Sequence, residues 1–302
     1  MELHFLGRNA GFEEAKACLL PVPYEGTVCF GKGAAKGPEG IMFGSREVEL
    51  YDMELGRCII GGDFPNGFHV SGPLNIEGKD SKAVTADVEA WASGMLDSGK
   101  LPIVLGGEHS VSIGAVRAAA KRFPGLCILH IDAHADLRDE YQGNTYSHAC
   151  AMRRIIESEG VGKYAQVGIR SMSAECAECA KEQAAKGRGR VFGGEFDVAQ
   201  VLEALGDAEH IYITIDLDGF DPSEVPGVGT PQPGGISWFG GLELLREVAR
   251  KKKIVGFDIV ELAPIMEQAK SEMFAATLLY RLVGYALFPE SIPKENPCAP
   301  RF

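Results

Sequence analysis

Long apolar runs are missing from this 302-residue chain. None approaches the roughly 20 residues that cross a bilayer, so a helical membrane protein is excluded. An excess of positive charge is missing too. Against 30 Lys and Arg stand 42 Asp and Glu, a formal net charge of -12. Nucleic-acid binding calls for a basic face, and that class is set aside. The first residues, Met1-Glu2-Leu3-His4-Phe5, carry an early acidic side chain and no extended apolar segment. They make a poor signal peptide, and a cytoplasmic location is expected.

Paired cysteine motifs are also lacking. Eight cysteines are scattered along the chain, and only Cys176 and Cys179 form a C-x-x-C. Without a second pair they do not make a structural zinc site. Reduced thiols are expected, with these two as neighbours one helical turn apart. Residues 24–38 are dense in glycine but lack the spacing and the Ser/Thr of a phosphate-binding loop. Glycine there serves tight turns or close approach to a ligand. Internal repeats, low-complexity segments and linkers are absent, so residues 1–302 are expected to form one domain.

What is present is an α/β rhythm. Apolar runs at 18–22, 101–105, 127–131, 164–169, 211–215 and 254–260 read as strands buried on both faces of a parallel sheet. Helices are expected over 39–46, 81–98, 111–122, 149–159, 173–187, 198–205, 238–251 and 273–287, with Ser237 as a cap. Residues 189–192 form a short strand, 48–80 are mixed, and the tail from Pro289 is irregular.

Four of these strands end in polar clusters. One runs into Gly106-Gly107-Glu108-His109-Ser110, and one into Asp132-Ala133-His134-Ala135-Asp136. Another ends in Asp216-Leu217-Asp218, and the last reaches Glu261. If the strand persists, alternation puts Asp132, His134 and Asp136 on one side, and Asp216 and Asp218 likewise. Strand C-termini of a parallel sheet share one edge, where ligands bind. Four Asp and two His exceed the needs of one metal, and their carboxylates would neutralise two divalent cations. Oxygen-rich ligation with two imidazoles suits Mn²⁺ better than structural zinc. Two such ions about 3.5–4 Å apart share a water, lower its pKa and favour hydrolysis at an electrophilic carbon.

The strings G-G-E-H-S, H-I-D-A-H-A-D, S-H-A-C-A-M-R-R, I-D-L-D-G-F-D-P-S-E-V-P-G-V-G-T-P and D-I-V-E-L-A-P resemble the ureohydrolase family of arginases and agmatinases. The likeness runs from about residue 18 to 287. It implies a three-layer α/β/α fold, a mostly parallel central sheet and two Mn²⁺ ions per chain. It implies that His109, Asp132, Asp136 and Asp216 hold one ion and Asp132, His134, Asp216 and Asp218 the other. It further implies that Asp136 accepts a proton, that His148 shuttles one to the leaving amine, and that Glu261 pairs with the guanidinium. A trimer or hexamer is the implied assembly.

Within that family the Pro23-Tyr24-Glu25-Gly26-Thr27-Val28 start and the Ser147-His148-Ala149 string resemble agmatinase. Arg138 replaces the Asn that serves the arginine carboxylate in arginases. The expected substrate is therefore agmatine, a small cation drawn to an acidic protein. Residues 30–38 depart from the Arg-containing agmatinase loop. Lys32 or Arg138 could thus serve the carboxylate of guanidinobutyrate or guanidinopropionate, and aminopropyl-agmatine, arginine or guanidine are further alternatives. A deacetylase-like metal amidohydrolase is a second class, opposed by the absence of a His-His pair. A non-catalytic binding protein is a third, opposed by the complete ligand set.

Overall fold

The computed structural model describes residues 3–60 and 67–294. The chain opens with β1 (Ala17–Val22) and α1 (Gly37–Gly44). A small antiparallel hairpin of β2 (Tyr51–Asp52) and β3 (Arg57–Cys58) follows, then β4 (His69–Val70). Strands and helices then alternate: α2 (Ser81–Asp97), β5 (Leu101–Gly106), α3 (Ser112–Arg122), β6 (Leu126–Ile131), α4 (Ala151–Ile156), β7 (Val161–Val167), α5 (Ala174–Ala185), β8 (Gly189–Phe192) and α6 (Val198–Leu205). β9 (His210–Asp216), α7 (Trp238–Lys251), β10 (Lys253–Val260) and α8 (Lys270–Leu287) complete the order.

Four helices begin at side-chain caps, the local chemistry that starts a helix after a polar turn. Asp80, Ser173, Asp197 and Ser237 accept from the backbone N–H of Ala83, Cys176, Gln200 and Gly240. The Ser237 cap is as the sequence predicts. The helix expected over 149–159 is shorter, because single 3₁₀ turns occupy His148–Cys150 and, before α3, His109–Val111. Part of the mixed 48–80 stretch, residues 61–66, and the tail beyond 294 lie outside the described residues.

Eight strands form one sheet in the order β4-β1-β5-β10-β9-β6-β7-β8, and every pairing in it is parallel. Successive residues of a strand face opposite sides. Leu19, Ile103, Leu129 and Ile213 join one core with Ile41, Val201, Leu245 and Leu279 from α1, α6, α7 and α8. Leu20, Val104, Ile128 and Tyr212 join the other with Val88, Val116, Ile155 and Cys176 from α2 to α5. Each face of the sheet is thus covered, giving the α/β/α layering that the family resemblance implies. Among the described residues no helix is long and apolar enough to cross a membrane.

The order matters for function. β5, β10, β9 and β6 are four adjacent central strands, and their registers run level: Ile259 lies opposite both Leu105 and Ile215, and Ile131 lies opposite Ile215. Their C-terminal ends carry the four polar clusters. Residues spread over some 150 positions of sequence are thereby gathered at one edge.

Candidate metal centre and cavity

The site is built where these strands stop. β6 ends at Ile131, so the expected persistence of the strand through Asp136 does not hold. Its neighbours β7 and β9 end at Val167 and Asp216, and the continuous ladder stops there, leaving the segment an isolated parallel bridge between His134 and Ser171. Convergence comes instead from an irregular backbone tied down by hydrogen bonds. Ala133 N–H donates to Asp218 Oδ1 at 3.0 Å, and His134 N–H to Asp132 Oδ1 at 2.6 Å. Asp136 takes a left-handed φ of 50°. Asp216 closes β9 by accepting the Asp218 N–H at 2.9 Å, which turns the chain so that both carboxylates stay at the edge. Glu261 follows β10 with φ 65°, a costly conformation for a long side chain, and accepts the His109 N–H at 2.9 Å. Strain of this kind concentrates at functional sites.

The six expected ligands come together as two clusters that share Asp132. His109 is fully buried, and its Nδ1 lies 3.0 Å from Asp132, 3.3 Å from Asp136 and 3.4 Å from Asp216 without a hydrogen-bond partner. His134 Nδ1 lies 3.0 Å from Asp218 and 3.5 Å from Asp132. Asp132 turns Oδ2 to the first group and Oδ1 to the second, so its two oxygens face both histidines. Asp216 turns Oδ2 to His109 and gives Oδ1 to the Asp218 N–H, so of the two carboxylates expected to be shared, only Asp132 reaches both histidines.

Such crowding of buried carboxylates calls for cations. Burial, together with the charges of Asp218 and Asp132, holds Asp216 well above the usual carboxylate range. Asp218 is raised by burial and by Asp132. Burial opposes protonation of His134, but Asp132 and Asp218 outweigh it and push the imidazole up to about 12. A buried imidazole aimed at three oxygens, and acids that would otherwise keep their protons, fit a divalent metal pair.

A cavity of about 280 Å³ opens over this floor, lined by His134, Asp136, Asp216, Glu261 and His148. Two loops roof it, with Gly31 packed so closely on Gly229 that a Cβ would meet the Gly229 carbonyl oxygen at 2.5 Å. Glycine in the 26–38 loop therefore serves close backbone approach. Glu25 ties that loop by accepting the N–H groups of Gly33 and Ala35, each at 2.9 Å. Arg138 stands at the wall, 5.1 Å over the Tyr141 ring and 3.9 Å from Glu175. Lys32 is exposed and does not line the cavity. Cys176 and Cys179 sit in α5, and the seven described cysteines are free thiols.

Sequence reasoning missed three supporting residues. His130 is fully buried and lies 2.9 Å from Asp132 Oδ2. Its signal was its place two residues before Asp132 on the same side of β6. Arg170 spans five backbone carbonyls, those of Gly168, Asp218, Gly219, Phe220 and Gln232, stapling the Asp216–Asp218 turn to the Pro-rich loop. Thr230, within that loop, donates to Asp218 Oδ2 at 2.9 Å.

The sequence and the fold are both shared with known proteins. Residues 15–284 match the Arginase family. The chain is 38% identical over 288 residues to an N(1)-aminopropylagmatine ureohydrolase of Thermus thermophilus, covering 94% of each. It is 33% identical over 293 residues to an agmatinase of Bacillus anthracis, covering 93% of this chain and 96% of the relative. Among solved structures, the agmatine ureohydrolase of Thermoplasma volcanium superposes with a TM-score of 0.83 at 30% identity, covering 95% of both chains.

Proposed function

Because the chain belongs to the arginase family, we propose that it hydrolyses the guanidino group of agmatine to putrescine and urea. The observation that carries this reading is the state of Arg138. Its guanidinium stands on the cavity wall, and it already lies 3.9 Å from Glu175 and over the Tyr141 ring. A substrate carboxylate would have to compete for it, whereas Asp136, Asp216 and Glu261 favour a cation in the cavity.

A divalent pair, manganese by its oxygen-rich donors, would be held by His109, Asp132, Asp136 and Asp216 and by Asp132, His134, Asp216 and Asp218. When bound, the pair supplies Lewis acidity and a water acidified toward neutral pH. The remaining work belongs to side chains. Glu261 receives the guanidinium through paired charge-assisted hydrogen bonds. Burial, then the charge of Glu108, raises its pKa well above the ordinary value, so its ionised form calls for a neighbouring cation, which the guanidinium would supply. Asp136 accepts the proton lost by the attacking water. His148 delivers a proton to the leaving amine, a task suited to an imidazole.

The exposed Phe30 and Met172 at the mouth favour a second reading, an aminopropyl-extended agmatine whose longer methylene tail would lie on them. Urea release from the manganese-loaded protein decides. It is measured on agmatine, N(1)-aminopropylagmatine, guanidinobutyrate, guanidinopropionate, arginine and guanidine. Preference for agmatine supports the first reading, and preference for the extended amine replaces it with the second. Preference for an acid-bearing substrate would overturn both. We also propose a homo-oligomer, trimer or hexamer, which sedimentation would test.

A further inference from the structure

His148 does not stand alone. Its Nδ1 lies 3.2 Å from Thr27 Oγ1, and its backbone N–H donates to the same oxygen at 2.9 Å. Thr27 in turn donates from Oγ1 to Glu108 Oε1 at 2.7 Å and from its N–H to Oε2 at 2.6 Å. Ser110 adds a third donor to Oε1 at 2.6 Å. Three donors converging on two oxygens is the pattern a carboxylate accepts. Glu108 is fully buried.

The proton count fixes the rest. A threonine hydroxyl has one proton, and Glu108 takes it. Toward His148, Oγ1 can then only accept, so Nδ1 must bring the hydrogen. Ser147 Oγ also lies 3.3 Å from Nδ1. If it donated there, the bare Nδ1 would face the Thr27 lone pair, so it shares the Nδ1–H as a second acceptor. Nε2 is left with its lone pair. It lies 3.6 Å from Cys29 Sγ, itself a residue of the cavity lining.

We propose that Glu108 and Thr27 form a fixed relay that keeps His148 in the Nδ1–H tautomer, so that Nε2 alone carries the proton between cavity and leaving group. Glu108 and Thr27 are positioning residues that act through His148. One proton enters at Nε2 from cavity water and the same proton leaves to the departing amine nitrogen, after which the ring is back in its starting tautomer. The proton-transfer part rests on the reading of the site as a guanidino hydrolase; the tautomer does not.

The test has an arm for each. In the full-length protein loaded with zinc, a diamagnetic divalent metal, ¹⁵N–¹H correlation spectra report the His148 tautomer directly. The wild type and Thr27→Ser are expected to show Nδ1–H alone, and Thr27→Val a mixture. With manganese and the preferred guanidino substrate, Thr27→Val should lower kcat about tenfold or more with KM and metal stoichiometry held, and Thr27→Ser should restore it. An Nε2–H tautomer in the wild type would overturn the relay without any variant. So would full kcat in Thr27→Val, or loss of metal alongside activity, which would mark Thr27 as a strut of the fold. If no guanidino compound is turned over, the functional reading fails while the spectra still decide the relay.

Discussion

His130 donates from Nε2 to Asp132 Oδ2 across 2.9 Å, and Gln166 determines that it does so. The Gln166 amide nitrogen donates to the Ala135 carbonyl at 2.7 Å and faces His130 Nδ1 at 2.9 Å. Its second proton makes Nδ1 the acceptor, which leaves the imidazole hydrogen on Nε2. His130 is close enough to be counted with the ligand atoms of the first cluster, but this pairing makes it the support of Asp132. His130→Phe and Gln166→Leu should therefore weaken metal binding about 10- to 100-fold while the fold persists. Calorimetric titration of metal into the stripped protein would read this directly, and unchanged affinity in both variants would refute the support role.

Metal loss and loss of turnover should separate cleanly between two kinds of carboxylate. Asp132 and Asp216 both face the buried His109 Nδ1, so Asp132→Ala and Asp216→Ala are expected to lose bound metal and activity together. Glu261 faces the cavity and holds only the His109 N–H, a bond its amide analogue can keep. Glu261→Gln should retain two metals per chain and lose about a hundredfold in kcat/KM, the worth of one charge-assisted contact. Elemental analysis beside the urea assay checks both, and an Asp132→Ala protein with two metals and full rate would sink the bridging assignment.

The strands were legible because β1, β5, β6 and β9 are buried on both faces and read as continuous apolar runs. Their polar ends were legible because a parallel sheet has only one edge at which they can lie. The path of the chain beyond Ile131 was not, since alternation persists in the sequence after the continuous ladder has given way to a single bridge, His134 with Ser171. The alternation still joined His130 to Asp132, a signal present in the motif but unused. The Thr27–Glu108 contact spans 81 positions and depends on β1 pairing with β5 so that Val22 lies opposite Gly106. No local pattern announces a register, so no local pattern announces that bond. Lys32 illustrates the converse: a charge placed near the site by its loop, and turned to solvent by the fold.

His148→Ala should slow turnover about 10²- to 10⁴-fold, the usual contribution of a positioned acid or base. The side chain touches Thr27, Ser147, Cys29 and the Tyr141 ring, and none of the six expected ligands is among these contacts. Metal stoichiometry should accordingly be unchanged, and added imidazole should recover part of the rate. A variant that sheds its metal would show His148 to be structural instead.

Asp221 offers a pH test of the loop that carries Thr230. Its carboxylate accepts from the Ser223 hydroxyl at 2.7 Å and the Ser223 N–H at 3.0 Å, and from the N–H groups of Gly234 and Gly235 at 2.9 and 3.0 Å. These bonds, the Ser223 hydroxyl foremost, hold its pKa at about 2, below the roughly 3.9 of an unfolded aspartate. A depressed folded value means that the stabilisation is complete above the unfolded pKa and is lost as pH falls toward the folded one. The stability difference between wild type and Asp221→Ala, from denaturant melts of metal-free protein, should be constant above about pH 5 and shrink as the pH drops toward 3. Asp221 is only half-buried, so water screens its charge and the whole difference should be modest. A difference that stayed level through that window would mean the loop is held by its prolines and by the Arg170 staple, with the Asp221 charge contributing nothing.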